Sequence, residues 1–268
     1  MNKIAFIGAG AITEAIISGM IQKQFIDSEK IYVTNRSNRD RLTYLVEQYQ
    51  VSTTTDQKAL LTDADMILLT VKPKDVRSAI DGIKDYVRPN QLIVSVLAGV
   101  KTSEIEDLFN LKIPVVRAMP NTSASIGYSA TALTQGQYAT KKHIELGTLL
   151  FNTIGITVVV DEEKMDIVTG LSGSGPAYIY YLVEAMERVA EENNLDPDIA
   201  SLLITQTIIG AGKMLAQSGE SAKILREQVT SPGGTTEAGL KTLAQYQFQE
   251  AMMAGVNSAI KRAKELGK

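Results

Sequence analysis

The first residues of the chain constrain its fold more than any other segment. Residues 3–7 form a short, mostly apolar run that leads into Gly8-Ala9-Gly10 and an amphipathic segment at residues 12–22. A strand, two glycines and a helix in this order are typical of a dinucleotide-binding turn, where the first glycine permits the tight turn and the second admits a pyrophosphate. A tight turn without a ligand is the alternative, because Thr13 occupies the third glycine position. The predicted cofactor loop comprises Ile7, Gly8, Ala9, Gly10, Ala11 and Ile12.

Strand and helix patterns alternate as far as residue 161. Residues 65–71 and 91–96 are continuous apolar runs, typical of strands that are buried on both faces of a parallel sheet. Further strands are predicted at residues 30–34, 115–118, 129–133 and 157–160. Helical spacing of leucine, valine and tyrosine predicts a helix at residues 39–49. The pattern predicts an α/β Rossmann domain at residues 1–161, with a doubly wound, mostly parallel sheet.

Only helical patterns follow residue 161, so residues 162–268 are predicted to be an all-α domain. Asp196 and Pro197 suit the start of a helix that runs to about residue 218. Its apolar residues point in nearly every direction, and such a helix must be buried. We expect burial against a second subunit; a core helix enclosed by its own domain is the alternative.

Composition excludes several classes of function. The chain has no cysteine and a single histidine, His143, which we expect on an exposed helix face, so thiol, histidine and metal chemistry are not expected. Its 27 basic and 30 acidic residues are interspersed, which argues against nucleic-acid or membrane partners. No apolar run approaches about 18 residues and no signal-peptide pattern is present. We therefore expect a cytoplasmic protein.

The segment after the second predicted strand indicates the cofactor. Asn35, Arg36 and Ser37 stand where an NAD site usually carries an acidic residue, and a guanidinium with a hydroxyl suits a 2′-phosphate. This favours NADPH, with NADH a weaker possibility; a plain surface arginine is the alternative. Residues 71–73 (Val71, Lys72 and Pro73) follow another strand at its carboxyl end, where dinucleotides lie. Lys72 is either a phosphate or ribose contact or a solvated side chain.

A second glycine-rich segment, S-P-G-G-T-T at residues 231–236, opens a helical stretch near the C-terminus. Consecutive glycines followed by hydroxyl residues at a helix start leave backbone N–H groups free to hold an anion. A proline-glycine turn with a threonine N-cap is the alternative. Together with the first loop, this segment indicates a protein that brings a nucleotide and a small acid together.

Five motifs in order give the chain a specific resemblance. They are I-G-A-G at 7–10, V-K-P at 71–73, R-A-M-P-N-T at 117–122, L-S-G-S-G-P-A-Y at 171–178 and T-S-P-G-G-T-T at 230–236. Together they resemble pyrroline-5-carboxylate reductase. The resemblance implies NADPH-dependent reduction of a cyclic imine to L-proline, the last step of proline synthesis. It also implies a helical domain that interlocks with a second subunit, a homo-oligomer built from dimers, and an active site that includes helices of the partner.

The same resemblance implies roles for individual residues. Thr236 would be catalytic, its hydroxyl bonding the ring nitrogen, and backbone N–H groups of Gly234 and Thr235 with Ser231 would hold the carboxylate. The implied substrate site comprises Ser231, Gly233, Gly234, Thr235, Thr236, Glu220 and Met119 on its nicotinamide side, and the implied further cofactor contacts are Gln57, Ala98, Pro120 and Asn121. Family members often have other residues where this chain has Ala11, Thr13 and Ser123.

Two other functions share this layout. One is another imine reductase or a β-hydroxyacid reductase, whose C–O chemistry usually needs a catalytic lysine or acid in the helical domain. Lys213 and Lys223 are available for that role but lie in no recognisable motif. The other is a paralogue that binds nucleotide without catalysis; the intact segment at residues 231–236 argues against it.

Overall fold

The structure is a computed structural model that describes residues 1–266. Packing divides the chain into two compact units. The first consists of Met1–Pro176 and the end of the C-terminal helix from Ser258 onward, and the second is Ala177–Asn257. The first unit carries the sheet, and the described residues of the second form helices and their connections.

The first unit holds an eight-stranded sheet within the described residues. Its strands are β1 (Ile4–Ile7), β2 (Ile31–Thr34), β3 (Ser52–Thr53), β4 (Met66–Leu69), β5 (Leu92–Ser95), β6 (Val115–Met119), β7 (Ser129–Gln135) and β8 (Gly155–Val159). The spatial order is β3-β2-β1-β4-β5-β6-β7-β8; all neighbours are parallel except β6 and β7. The predicted doubly wound, mostly parallel sheet is confirmed, and the strand order reverses between β1 and β4, where such sheets bind ligands.

Helices cover both faces of this sheet. They are α1 (Ala11–Gln22), α2 (Arg39–Tyr49), α3 (Gln57–Leu61), α4 (Val76–Asp81), α5 (Thr102–Phe109), α6 (Lys141–Phe151) and α7 (Met165–Val168). One apolar core joins α1, α2 and α6 to the sheet through side chains such as Ile16, Leu45 and Phe151. The other joins α3, α4 and α5 to the opposite face, which explains why β1 and β4 are apolar throughout and β5 is apolar up to Ser95.

The sequence patterns located the strands well but missed one of them. The two-residue strand β3 was not predicted, because Ser52 and Thr53 form no apolar run. The strand expected at residues 157–160 begins earlier, at Gly155. The predicted domain boundary at residues 161 and 162 falls just after β8, whereas packing extends the first unit to Pro176. The reason is Met165, which is fully buried in a small apolar cluster with Met119 and Ala132.

His143 differs from the expectation of an exposed histidine. It is half-buried, and its Nδ1 accepts the backbone N–H of Thr140 at 3.0 Å, at the start of α6. Burial, and after it the positive charge of Lys142, lowers the pKa of His143. The side chain therefore acts as a helix-capping acceptor.

The second unit contains the remaining helices. They are α8 (Gly175–Glu192), which begins at the end of the first unit, α9 (Pro197–Gln217), α10 (Ala222–Gln228), α11 (Thr235–Gln245) and α12 (Phe248–Leu266), which ends in the first unit. Asp196 caps α9 as predicted, since its Oδ1 accepts the N–H groups of Asp198 and Ile199.

Helix α9 leaves most of its apolar surface uncovered. Ala200 and Ile204 are buried, whereas Leu202 and Leu203 are 70% and 57% exposed. Among the described helices, α9 is also long and apolar enough to cross a membrane by length and composition. Thr205, Gln206 and Thr207 interrupt its apolar residues, so this helix is not a continuous apolar run, and core helices of soluble proteins meet the same criterion of length and composition.

Candidate functional site

The loop after β1 adopts a conformation that requires its first glycine. Gly8 has φ = +122°, and a Cβ at this position would lie 2.7 Å from the backbone oxygen of Thr70. Both the torsion and the contact exclude a side chain. Gly8 thereby brings the start of α1 against the end of β4, at the point where the strand order reverses.

The second glycine leaves room for a ligand. A Cβ on Gly10 would meet nothing within 4 Å, so the space in front of the loop is open. Gly10 is also the N-cap of α1 and supplies no side-chain cap to the first turn. The N–H groups of a helix start and its positive dipole end favour an anion. The loop therefore fits the pyrophosphate of a dinucleotide.

Thr13, at the position of the missing third glycine, tightens this loop. Its side chain is fully buried, and its Oγ1 lies 2.8 Å from Thr70 Oγ1 and 3.1 Å from the carbonyl oxygen of Gly8. Thr70 Oγ1 lies 3.2 Å from the carbonyl oxygens of Ile7 and Gly8. The hydroxyl pair ties the loop to β4.

Segment 35–37 lies at the carboxyl end of β2, beside this loop. Asn35 Oδ1 accepts the N–H groups of Ser37 at 3.1 Å and Asn38 at 2.9 Å and holds the turn. Arg36 is exposed and forms no salt bridge with any described residue. Its guanidinium is therefore available to an anion at this edge of the sheet.

The other predicted cofactor residues follow the next strands. Val71, Lys72 and Pro73 come after β4, Ala98 follows β5, and Pro120 and Asn121 follow β6. Since these strands are parallel, the structure places all of them at one edge of the sheet. Gln57 begins α3, and its Oε1 is buried without a hydrogen-bond partner among residues 1–266. An unsatisfied acceptor of this kind suits a contact with a bound group.

Asn121 hydrogen-bonds on both sides of the segment that follows β6. Asn121 Oδ1 accepts the N–H of Ser123 at 3.1 Å, a bond that proline could not donate. Its Nδ2 donates to the carbonyl oxygen of Ser172 at 3.1 Å. The oxygen and the nitrogen of the Asn121 side-chain amide thus both hold the segment after β6 in place.

Several residues of this unit were missed by the sequence analysis. Buried Arg117 donates to Glu162 Oε1 at 2.7 Å, and Thr102 Oγ1 donates to Glu162 Oε2 at 2.6 Å. Arg41 donates from Nε to the carbonyl oxygen of Ala9, inside the cofactor loop, at 2.9 Å. A charged residue inside an apolar strand was the signal for Arg117, whereas nothing in the local pattern pointed to Arg41.

The segment at residues 231–236 belongs to the second unit and forms a tight turn before α11. Gly233 has φ = +74°, and Gly234 is the N-cap of α11. The N–H of Gly234 donates to the carbonyl oxygen of Ser231 at 3.0 Å, and the N–H of Gly233 donates to Glu237 Oε2 at 2.8 Å. The expectation that the Gly234 N–H is free for a carboxylate is therefore wrong for this conformation, because the turn itself uses it.

The helix start keeps other groups available. Thr235 and Thr236 are the first two residues of α11, where N–H groups lack partners within the helix. Thr235 is exposed and Thr236 half-buried. The structure thus brings Ser231, Gly233, Gly234, Thr235 and Thr236 into one turn. Glu220 lies exposed in the link between α9 and α10, and Met119 lies in the first unit.

Glu237, in the first turn of α11, is paired with the backbone N–H of Gly233 and with the ammonium of Lys241. The backbone N–H of Gly233, and after it the ammonium of Lys241, lowers the pKa of Glu237. Among the described residues no group of three or more histidine, cysteine, aspartate or glutamate side chains is arranged to hold a metal ion. The sheet edge of the first unit and the turn of the second unit each offer glycine turns, helix starts, hydroxyls and amides, which are groups that bind and orient a ligand.

Models of two protein families match this chain. The one described as "Pyrroline-5-carboxylate reductase dimerisation" matches residues 162–266. The one described as "NADP oxidoreductase coenzyme F420-dependent" matches residues 3–99.

Similar proteins match over nearly the whole chain. Pyrroline-5-carboxylate reductase 2 of Bacillus subtilis is 45% identical over 266 residues, which are 99% of this chain and 95% of the relative. The structure of a pyrroline-5-carboxylate reductase from Coxiella burnetii superposes with a TM-score of 0.90 at 36% identity, covering 100% of this chain and 99% of the other. Plasmodium falciparum pyrroline carboxylate reductase with NADP bound gives a TM-score of 0.90 at 26% identity, covering 99% and 98%.

The hydroxyl pair of Thr13 and Thr70 generates a prediction for stability. Thr13→Val keeps the volume but removes the buried contacts of the Thr13 hydroxyl with Thr70 Oγ1 and the Gly8 carbonyl oxygen, so we expect a loss of about 1–3 kcal/mol in the free energy of unfolding. Urea denaturation measures it. Thr62→Val, at an exposed threonine of the same unit, is the matched control and should change the value by less than about 0.5 kcal/mol. Equal stabilities of Thr13→Val and the unaltered protein would show that the pair does not hold the loop.

Proposed function

Because this chain belongs to the pyrroline-5-carboxylate reductase family, we propose that it reduces L-1-pyrroline-5-carboxylate to L-proline with NADPH. The observation that carries the proposal is identity of 45% to a reductase of that name over 99% of the chain. The match covers both units, so a β-hydroxyacid reductase, another imine reductase or a non-catalytic paralogue is not favoured. A reductase function also agrees with the groups available, since helix starts, hydroxyls and amides can bind and orient a cofactor and a substrate.

The cofactor is held by the carboxyl edge of the sheet in this proposal. The pyrophosphate lies at the loop from Ile7 to Ile12, and Arg36 with Asn35 and Ser37 binds the 2′-phosphate. Further contacts are assigned to Gln57, Val71, Lys72, Pro73, Ala98, Pro120 and Asn121. When bound, NADPH supplies a hydride to an electrophilic carbon. NADH is accepted less well, since it lacks the phosphate that Arg36 would bind.

The substrate is held by the turn before α11 and its flanking residues. The N–H groups of Thr235 and Thr236 and the hydroxyl of Ser231 bind the carboxylate, because a helix start attracts anions. Gly233 allows the turn its positive φ of +74°, and Gly234, as the N-cap of α11, places the N–H groups of the helix start beside the ligand. Glu220 and Met119 complete the assigned contacts.

In this proposal, most of the rate enhancement comes from placing the cofactor and the substrate correctly for hydride transfer. A cyclic imine is already electrophilic at carbon once its nitrogen is protonated, and solvent can supply that proton before binding. The hydroxyl of Thr236 hydrogen-bonds the ring nitrogen and fixes which face of the ring is presented. Correct placement of two reacting groups is worth several kcal/mol of the barrier. No histidine or cysteine is needed, in agreement with the composition.

The assembly proposed is a homo-oligomer built from dimers, working in the cytoplasm, where NADPH is available. Residues 162–268 serve as the dimerisation and substrate-binding domain, and residues 1–161 as the NADP-binding domain. Two observations support pairing through the helical part: the match of residues 162–266 to a dimerisation model, and the exposed leucines of α9. An exposed apolar surface of this kind is typical of a protein interface.

Cofactor preference depends on Arg36. We expect Arg36→Ser to raise the KM for NADPH by roughly tenfold, about 1.4 kcal/mol, because one charge-assisted contact to the 2′-phosphate is lost. The KM for NADH should stay within about twofold, since NADH has no such phosphate. Steady-state kinetics with both cofactors measure the two KM values, and Arg77→Ser, at an exposed arginine of α4, is the matched control. A parallel rise of both KM values would argue against a phosphate contact.

Catalysis depends on the hydroxyl of Thr236. Thr236→Ala should lower turnover by more than tenfold, about 1.4 kcal/mol of transition-state stabilisation, while NADPH binding persists. Thr242→Ala removes a hydroxyl from an exposed position of the same helix and should leave turnover unchanged. Wild-type kinetics in the Thr236 variant would refute the assigned role.

Pairing depends on the exposed face of α9. The double variant Leu202→Glu/Leu203→Glu places two charges on this face, so we expect it to shift the protein to monomers. Light scattering coupled to size-exclusion chromatography measures the mass. Tyr86→Glu, at an exposed apolar position of the first unit, is the matched control and should keep the wild-type mass. An unchanged oligomer in the double variant would place the interface elsewhere.

A further inference from the structure

Helix α1, whose start forms the candidate pyrophosphate site, carries a carboxylate in its first turn. This residue is Glu14. A negative side chain there competes with an anionic ligand for the same positive helix end. It also repels phosphate charge, and the repulsion is strong where water is partly excluded. A cofactor loop with an unpaired Glu14 would bind a dinucleotide poorly.

Three side chains of α2 surround this carboxylate. Arg41 Nη2 forms an ion pair with Glu14 Oε2. The hydroxyls of Tyr44 and Tyr49 donate to Glu14 Oε1 at 2.9 Å and 3.0 Å. The side chains of Arg41 and Glu14 are only 25% and 24% exposed, so solvent screens the pair less than a surface pair.

The same guanidinium also contacts the cofactor loop directly. Arg41 Nε donates to the carbonyl oxygen of Ala9 at 2.9 Å. In a trans peptide the carbonyl and the following N–H point in opposite directions. The bond to Ala9 therefore sets the direction of the Gly10 N–H, which belongs to the loop that faces the phosphates.

Glu14 carries its negative charge at neutral pH. Burial alone would raise the pKa of Glu14, but hydrogen bonds from Arg41, Tyr44 and Tyr49, together with the Arg41 charge, outweigh it and lower the pKa. The charge at this helix start is thus permanent in the working range, and its cancellation depends on Arg41.

We propose that Arg41 is a positioning residue for NADPH, which cancels the repulsive charge of Glu14 and fixes the Ala9–Gly10 peptide of the cofactor loop. This inference rests on the proposed cofactor site. Glu14 opposes the cofactor and Arg41 favours it, although the two form one ion pair. A purely structural tie between α1 and α2 would make both residues favour binding equally.

The experiment measures NADPH affinity without substrate, by fluorescence titration of Arg41→Met, Glu14→Gln and the double variant. Arg41→Met should weaken binding by about tenfold or more, because it leaves Glu14 unpaired. Glu14→Gln should keep or increase the affinity, because it removes the repulsion and leaves Arg41 on Ala9. The double variant should bind better than Arg41→Met alone. Arg77→Met is the matched control, with wild-type affinity expected.

The sign of the Glu14→Gln effect decides the proposal. A loss of affinity in Glu14→Gln comparable to that in Arg41→Met, or wild-type affinity in Arg41→Met, would overturn it. Arg41→Lys replaces Arg41→Met if the latter does not fold, since it keeps a positive charge but not the Nε donor. It should bind NADPH more weakly than Glu14→Gln does. The reverse order of affinities overturns the proposal. Absence of NADPH binding by the unaltered protein would instead overturn the cofactor site itself, so the two failures are distinguishable.

Discussion

The close contact between the first loop and the end of β4 positions the cofactor side of the molecule. Gly8 reaches it through a positive φ that a side chain would prevent, and the buried hydroxyls of Thr13 and Thr70 hold it. The contact places the start of α1 where the strand order reverses. The other assigned cofactor residues that follow strands lie beside this loop, because the neighbouring parallel strands end at the same edge of the sheet.

The chemistry follows from what this edge and the helical unit contain. The chain has no cysteine, and its one histidine caps α6. What remains are helix starts, glycine turns, hydroxyls and amides, all of which hold a ligand in place without exchanging protons at neutral pH. Hydride transfer to an electrophilic imine suits such a site, since it needs orientation more than acid–base catalysis. Acidic side chains near both helix starts form salt bridges, Glu14 with Arg41 and Glu237 with Lys241.

Much of this could be predicted from the sequence, where local patterns carry the information. Apolar runs marked seven of the strands, and Asp196 with Pro197 marked the start of α9. Contacts between distant segments could not be predicted. Examples are the Arg41 bond to Ala9, which spans 32 positions, and the buried acceptor of Gln57. The Gly234 N–H was assigned wrongly because the turn geometry, rather than the residue types, decides which N–H groups are free.

The reductase function is tested most directly by the oxidation of NADPH by the purified protein in the presence of pyrroline-5-carboxylate. Absorbance follows the NADPH, and proline is measured as the product. We expect oxidation that depends on the imine, one proline for each NADPH, and a lower kcat/KM with NADH. We also expect no oxidation of hydroxyacids with NADP. If the protein binds NADPH but shows no imine-dependent oxidation with either cofactor, it is not a pyrroline-5-carboxylate reductase, and a binding protein without catalysis is favoured.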